Sequence, residues 1–469
     1  MLTPQQQSIL DHVQANPGLT MIDAKAGAGK TTMLVEISKT LNPSSALYLA
    51  YNKSVATEAS KKFPKSVHCC TTHSLAYKPT VIEHKLKLGT FTPRHVTEKM
   101  SYDLKEEIVY ALKEFCLSKH ISISDFCAEA GYTDHVQSLL IKYASLMQTG
   151  KQECTHEYYL KHFHILLAEG SLVYPNFDLI MLDEAGDLNE VTLEIFKLLP
   201  ATRKIMVGDP YQNIYSFNHT INCFEAMRDQ GVSLPMSQSF RVSEAIAERV
   251  ERFGRKYLNP DFTFSGIPIT DTTIKSRAYI ARTNAYLISH MFKLNEAKIP
   301  YSLARSAKQI FELPLALCAL KPNGFVPVPA YKHLQDDVNT YYAHPELAME
   351  YKSLFGYIRN IHSDDKQLVN TINLIQRHTR SGIINCYEEA RKHEKADQSL
   401  LLGTAHSMKG LEVDEVTLAE DMNESIADIV GLLSVQPETS LTKDQETELF
   451  LYYVACTRPR KALHNARYM

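Results

Sequence analysis

Short apolar runs, each followed by a stretch with helical spacing, recur at both ends of this chain. The candidate strands are Thr20–Ala24, Ala46–Ala50, Val67–Thr71, Leu179–Asp183, Ile205–Gly208, Ala278–Arg282, Leu401–His406 and Glu415–Leu418. Their alternation with helices predicts parallel sheets with helices on both faces. Two long segments break the pattern. In the first, Tyr102–Cys116 puts Leu104, Ile108, Leu112 and Phe115 on one helical face. Val136–Met147 does the same with Leu139, Leu140, Tyr143 and Met147, and Gly150 closes it. The second segment is also mainly helical, with a proline-rich break at Val326-Pro327-Val328-Pro329. The expected fold is therefore α/β, in two halves. One comprises 1–85 and 165–225 around a helical insertion at 86–164; the other comprises 226–305 and 399–469 around an insertion at 306–398.

Composition changes this picture little. A chain of 469 residues with 44% hydrophobic and 22% charged residues reads as an ordinary globular protein of several domains. The longest apolar run, Leu313–Leu320, carries Pro314 and is far too short for a bilayer, so no membrane span is expected. The N-terminus lacks the pattern of a secretory signal, and nine scattered cysteines without a Cys-x-x-Cys pair fit a reducing interior, so a soluble intracellular protein is expected. The net charge of -3 provides no general attraction to nucleic acid; any such binding needs a local basic channel.

Candidate chemistry begins after the first strand. Lys25-Ala26-Gly27-Ala28-Gly29-Lys30-Thr31-Thr32 leads directly into a helix. Small residues let the backbone curl so that successive N–H groups face a phosphate at the helix N-terminus. Lys30 can reach the β- and γ-phosphates of ATP, and the Thr31 hydroxyl can ligate Mg²⁺. The bland alternative is a Gly/Ala-rich turn. Further on, the apolar run Phe177–Leu182 ends in Asp183 and Glu184. At the carboxyl end of a parallel strand these project into the crevice where a phosphate loop lies. Asp183 can hold Mg²⁺ through water, and Glu184 can take a proton from the attacking water. An acid pair alone is more often a helix cap or a solvated turn; opposite such a loop, the catalytic reading is the stronger. A third strand leads into Gly208-Asp209-Pro210-Tyr211-Gln212, where the Gln212 amide can sense a γ-phosphate.

These residues resemble the superfamily 1A DNA helicases, of which UvrD, Rep and PcrA are typical, with motifs in order from residue 2 to residue 458. Leu2-Thr3-Pro4-Gln5-Gln6 is similar to the Q motif, which implies that Gln6 reads the adenine edge. Ser239-Phe240-Arg241 resembles the motif whose aromatic stacks on adenine and whose arginine reaches the γ-phosphate. Thr404-Ala405-His406-Ser407-Met408-Lys409-Gly410-Leu411-Glu412 resembles motif V, which puts Glu412 near the ribose and Thr404 and His406 near DNA. Tyr453-Val454-Ala455-Cys456-Thr457-Arg458 resembles motif VI, whose arginine is the second-domain finger. Tyr51-Asn52-Lys53-Ser54, Thr71–Tyr77, Thr155–Lys161 and Ser237–Arg241 are similar to the F-box DNA helicase subgroup. With the first motif at residue 2, no F-box is expected, and the resemblance is to the motor portion alone.

The resemblance implies two RecA-like P-loop NTPase domains, with Mg-ATP held by Lys30, Thr31, Asp183 and Glu184 on one side and by Arg241 and Arg458 on the other. It also implies a monomeric 3′→5′ motor on single-stranded DNA and at single-strand/duplex junctions, working with replication, repair or recombination proteins. Tyr51, Tyr215 and Phe217 are candidates for stacking on bases, which is tolerant of sequence; for each, core packing is the alternative. Asn52, Thr72, His73 and Thr404 are candidates for holding phosphates. Two rival readings are a translocase that strips proteins from DNA with little unwinding and a degenerate motor that only binds. RNA stays open, since phosphate and stacking contacts do not exclude a 2′-OH. Four departures stand out, one of them Phe450 where an arginine often precedes motif VI. Gly186 occupies a glutamine position of Asp-Glu-x-Gln-Asp, Asn218-His219 occupies a common Arg-Gly, and Pro459 follows motif VI in place of alanine. Loss of the glutamine side chain is expected to alter coupling between ATP and DNA. His156, His162 and His164, near Cys154, lack zinc-ligand spacing and read as core or surface histidines.

Overall fold

The computed structural model describes residues 2–215, 220–394 and 399–469. It divides into two compact units, 1–240 and 241–469. Each is built on its own parallel sheet.

Unit 1 contains β1 (Gly18–Ala24), β2 (Ala46–Ala50), β3 (Val67–Thr71), β4 (Phe177–Leu182), β5 (Leu188–Asn189), β6 (Ala201–Gly208), β7 (Thr220–Ile221) and β8 (Val232–Met236). Six of them form one sheet in the order β3-β2-β4-β6-β1-β8, with every neighbouring pair parallel. β5 and β7 form a two-residue antiparallel ribbon. The central strands β2 and β4 are apolar nearly throughout because helices cover both faces of the sheet. β6 thus lies between β1 and β4, which sets the turn after it between the turns that follow those two strands. β8 pairs with β1, so residues 226–240 stay with the first unit, whereas the sequence pattern starts the second half at 226.

The first insertion is helical, with helices Tyr102–Leu117, Ile123–Ala130, Asp134–Gln148 and His156–Ala168. Ile108, Leu112 and Phe115 from the first, and Leu139, Leu140, Tyr143 and Met147 from the third, enter one core. Gly150, with φ of 70°, supplies the left-handed residue just beyond the third helix.

Unit 2 carries β11 (Arg277–Ala281), β12 (Ser302–Leu303), β13 (Leu400–Thr404), β14 (Val413–Leu418) and β15 (Pro459–His464), in the order β12-β13-β11-β14-β15 and all parallel. A strand β9 (Gln238–Ser243) spans the division, and β10 (Ser265–Ile267) pairs with it. The expected strand Leu401–His406 is corrected at its end: it stops at Thr404, whose hydroxyl accepts from the Ser407 N–H and starts a short helix, Ala405–Met408. Between β12 and β13 the described residues are mainly helical, and Pro314 sits inside helix Ala307–Cys318. Among the described residues, no helix is long and apolar enough to cross a membrane.

Candidate nucleotide and nucleic-acid site

The loop after β1 curls because Gly27 and Gly29 take φ of 76° and 82°, a region glycine enters without a Cβ clash. Helix Lys30–Leu41 then starts with no side-chain cap, so its first amides face outward from the strand end with the positive end of the helix dipole behind them. That is the geometry of an anion cradle.

The carboxyl end of β4 meets this loop. Lys30 Nζ lies 2.6 Å from Glu184 Oε2, and Thr31 Oγ1 lies 3.4 Å from Asp183 Oδ2. Asp183 is buried and held from both sides: the Tyr48 hydroxyl donates to Oδ2 at 2.6 Å, and the Glu184 N–H donates to Oδ1 at 2.9 Å. Burial, then the neighbouring Glu184, pushes the Asp183 carboxyl above its usual range against the pull of Lys30 and Tyr48. Burial also opposes charge on Lys30, but Glu184 and Asp183 outweigh it and raise the ammonium's pKa. Burial and the Asp183 charge together drive the Tyr48 phenol far above its ordinary value, so it remains a donor. A hydroxyl and an anchored carboxylate facing each other, with a lysine alongside, form an oxygen donor set suited to a hard divalent cation next to phosphate.

Glu184 itself has φ of 53°, uncommon for a residue with a side chain. The turn after β6 closes the same edge. Gln212 Nε2 donates to Asp209 Oδ2 at 2.8 Å, and the Asp209 charge is felt by both Lys30 and Asp23. Two glycines make room for it: a Cβ at Gly186 would lie 2.7 Å from the Asp209 carbonyl oxygen, and one at Gly208 would lie 2.9 Å from the amide nitrogens of Ala185 and Gly186.

Several groups here escaped the sequence reading. Tyr48 has the one side-chain hydroxyl in the apolar run of β2, and a buried hydroxyl needs a partner, which was the available signal. Buried Lys25 pairs with Asp23 at 2.6 Å and lies 4.5 Å from the centre of the Tyr211 ring. In unit 2, Arg282 at the end of β11 makes a forked pair with Glu448, at 2.8 and 2.9 Å from Nε.

Phe240 reaches the loop from the C-terminal end of unit 1. The Phe240 N–H donates to the Gly27 carbonyl at 2.9 Å, and its ring is 45% exposed beside Gly29. Gln6 is buried in a capping box, where its Oε1 accepts from the Thr3 N–H at 3.0 Å. Adjacent Gln5 ties this helix to the Phe240 segment by donating to Ser237 Oγ at 3.0 Å and accepting from the Ser237 N–H at 2.9 Å.

Among the nucleic-acid candidates, Tyr51 and Asn52 follow β2, and Thr72 and His73 follow its neighbour β3, so they share one sheet edge. Tyr51 is 51% exposed. Asn52 Oδ1 caps helix Lys53–Ala59 by accepting from Val55 N–H, and Thr72 is buried. His73 stands edge-on to Tyr159, with ring centres 5.7 Å apart; burial first, and His156 second, lower its pKa and keep it neutral. Tyr215 is half-buried beyond the Gln212 turn. Phe217, Asn218 and His219 lie outside the described residues. His162 and His164 are core groups of the fourth insertion helix; burial lowers their pKa values to about 4 and about 3.

In unit 2, Arg241 Nε lies 2.7 Å from Glu412 Oε2, and Arg460 pairs with the same carboxylate. Burial works against the Glu412 charge, yet the two arginines prevail and hold its pKa low. Arg458 is buried, donating to the Val454 carbonyl at 2.8 Å and to Thr457 Oγ1 at 3.0 Å. Thr404 and His406 sit together at the end of β13.

Comparison with known proteins agrees with this arrangement. Residues 5–218 match the family model of the AAA domain. The chain is 24% identical to F-box DNA helicase protein 1 of Schizosaccharomyces pombe over 98% of its own length and 57% of that protein. It is also 24% identical to F-box DNA helicase 1 of Gallus gallus, over 98% of the chain and 48% of the relative. It thus spans about half the length of the curated relatives it matches.

Proposed function

We propose, for a chain that belongs to the UvrD-like superfamily of DNA helicases and is related to its F-box members, that it hydrolyses ATP to move along single-stranded DNA and separate strands. The observation that carries this reading is the meeting of Lys30, Thr31, Asp183 and Glu184 at the ends of β1 and β4. Incoming phosphate exchanges Glu184 for itself as the partner of Lys30. The freed carboxylate then takes a proton from the attacking water. Thr31 and Asp183 would hold Mg²⁺, which would supply positive charge to offset that of the phosphates. Phe240 supports the adenine by stacking, with Gln6 at its edge. Arg241 and Arg458 answer to the γ-phosphate, and Gln212 senses it from the turn after β6. Glu412, paired with two arginines, orients Arg241 as well as serving the ribose.

DNA passes over the shared edge carrying Tyr51, Asn52, Thr72 and His73, and over Thr404 and His406 in the second unit. Tyr215 and Phe217 complete the stacking set. The polarity proposed is 3′→5′.

The test is ATP turnover with and without single-stranded DNA, using Lys30→Ala as the inactive control. Turnover that DNA does not stimulate, or that persists in K30A, refutes the motor. Displacement on 3′-tailed against 5′-tailed duplexes then tests polarity. Stimulated turnover without displacement selects the protein-stripping translocase.

A further inference from the structure

Outside the motor residues, the histidines and acids of the second insertion form a cluster that neither the helicase reading nor the first-insertion histidines account for. His333 immediately precedes helix Leu334–Ala343, and its backbone is already helical (φ -57°, ψ -25°), with its carbonyl accepting from the Asp336 N–H at 3.0 Å. Asp337 therefore falls one turn on, on the same face as His333. His362 ends helix Leu354–Ile361, and that helix packs against the first. The result brings one donor atom from each of His333, Asp337 and His362 within 4.8 Å of the others.

We propose that these three side chains bind one divalent transition-metal ion of the zinc class, pinning the two helices together. Two imidazoles and one carboxylate are the donor types that zinc takes, and a tetrahedral ion with bonds of about 2.0–2.2 Å sets its donors about 3.3–3.6 Å apart, which small side-chain rotations reach from this spacing. His362 Nε2 and Asp337 Oδ2 are already 2.9 Å apart. The rings of His333 and His362 lie 5.0 Å apart at 57°, so they converge instead of stacking. His333 is exposed, and a turn of its side chain closes the remaining gap. Solvent then fills the fourth position. A simple His362–Asp337 ion pair is the competing account, and it gives His333 no role. Among the described residues, no lysine or arginine is within ion-pair distance of Asp337; its ion-pair partner is His362. The carboxylate is thus available to a cation, and the ion would join the start of one helix to the end of the other across an intervening helix, Pro345–Tyr351.

The experiment uses the full chain, stripped with chelator and held without nucleotide or magnesium. Co²⁺ is titrated in while visible absorption is recorded, and Zn²⁺ then competes. One equivalent of Co²⁺ should raise ligand-field bands that Zn²⁺ abolishes, and Zn²⁺ should raise the melting temperature. His333→Ala and His362→Ala should each lose the bands, whereas His344→Ala, an exposed histidine paired with Glu346, should keep them. Asp337→Asn, which preserves side-chain shape, should weaken Zn²⁺ at least about tenfold, and circular dichroism checks that each variant stays folded. Should a variant unfold, His333→Gln takes its place. Absence of bands in the parent, or full bands in H333A or H333Q, overturns the proposal and leaves the ion pair alone.

Discussion

Gly186 offers the sharpest test of how the site is built. Its missing side chain reads in the sequence as a lost coupling contact, but the structure gives it a steric reason. A Cβ there would sit 2.7 Å from the Asp209 carbonyl oxygen, well inside the about 3.3 Å at which carbon and oxygen normally rest. The obstructing atom is backbone and cannot swing aside. Nor can the opposing turn retreat, because the Ala185 N–H donates to the Val207 carbonyl at 2.9 Å, and the approach is so close that even a Cβ at Gly208 would lie 2.9 Å from the Ala185 and Gly186 nitrogens. Gly186→Ala must therefore part the ends of β4 and β6. Overpacking of this kind costs about 1–3 kcal/mol, and a rigid neighbour places the change in the upper half of that range. The shift also moves Asp183 and Glu184 away from Thr31 and Lys30. Misplacement approaching 1 Å at a reacting centre reduces rate by about 10²-fold, so turnover should fall by about 10- to 100-fold. Urea unfolding midpoints and DNA-stimulated ATP turnover of the parent, G186A and G186Q measure both effects. An unchanged midpoint with undiminished turnover in G186A refutes the steric account. A G186Q variant that unwinds more duplex per ATP would instead favour the lost-contact reading.

Tyr48→Phe removes a 2.6 Å donor from Asp183 and should cost about 1.5–3 kcal/mol, the range for a hydrogen bond to a charged group. Because Tyr48 lowers the Asp183 pKa, its loss raises it, and the acid limb of the ATPase pH profile should move to higher pH; superimposable profiles count against the role assigned to Tyr48. His162 and His164 are held neutral by burial, with pKa values of about 4 and about 3 against 6.5 for the free side chain. Their depressed values make stability fully present above pH 6.5 and progressively lost as pH falls towards 4, because the unfolded chain takes up protons that the folded one refuses. Thermal melts from pH 7 to pH 4 should fall steeply, and His164→Phe should flatten the slope; equal slopes in both proteins refute it.

The strand easiest to read was Ala46–Ala50, buried on both faces, whose limits match the sequence expectation residue for residue; the limits of Val67–Thr71, an edge strand carrying cysteines and a β-branched start, match as well. Two other edge strands were harder. β8 contains Pro235 and is largely exposed, and β15 opens on Pro459, so neither shows a continuous apolar run; proline is tolerated there because an edge strand need not donate along its free side. Pro459, noted as a departure from motif VI, is thus the first residue of an edge strand. The curled loop at 25–32 and the acid pair beside it were legible because backbone curl and strand-end carboxylates leave local signatures. Tyr48, Lys25 and the cluster at His333 were not. Asp183 meets Tyr48 from another strand, Tyr211 meets Lys25 from the turn after β6, and His362 joins His333 and Asp337 from another helix, so only the assembled sheet or helical packing brings these groups together.

The left-handed backbone at Glu184 has a consequence of its own. A glycine would relax there, so the fold keeps Glu184, the proton acceptor proposed above, at a spot where chain geometry alone would prefer a residue unable to do chemistry. Variation that drifts towards greater ruggedness at this one position would silence the protein while making it harder to melt, and the glutamate persists only as long as its work is needed.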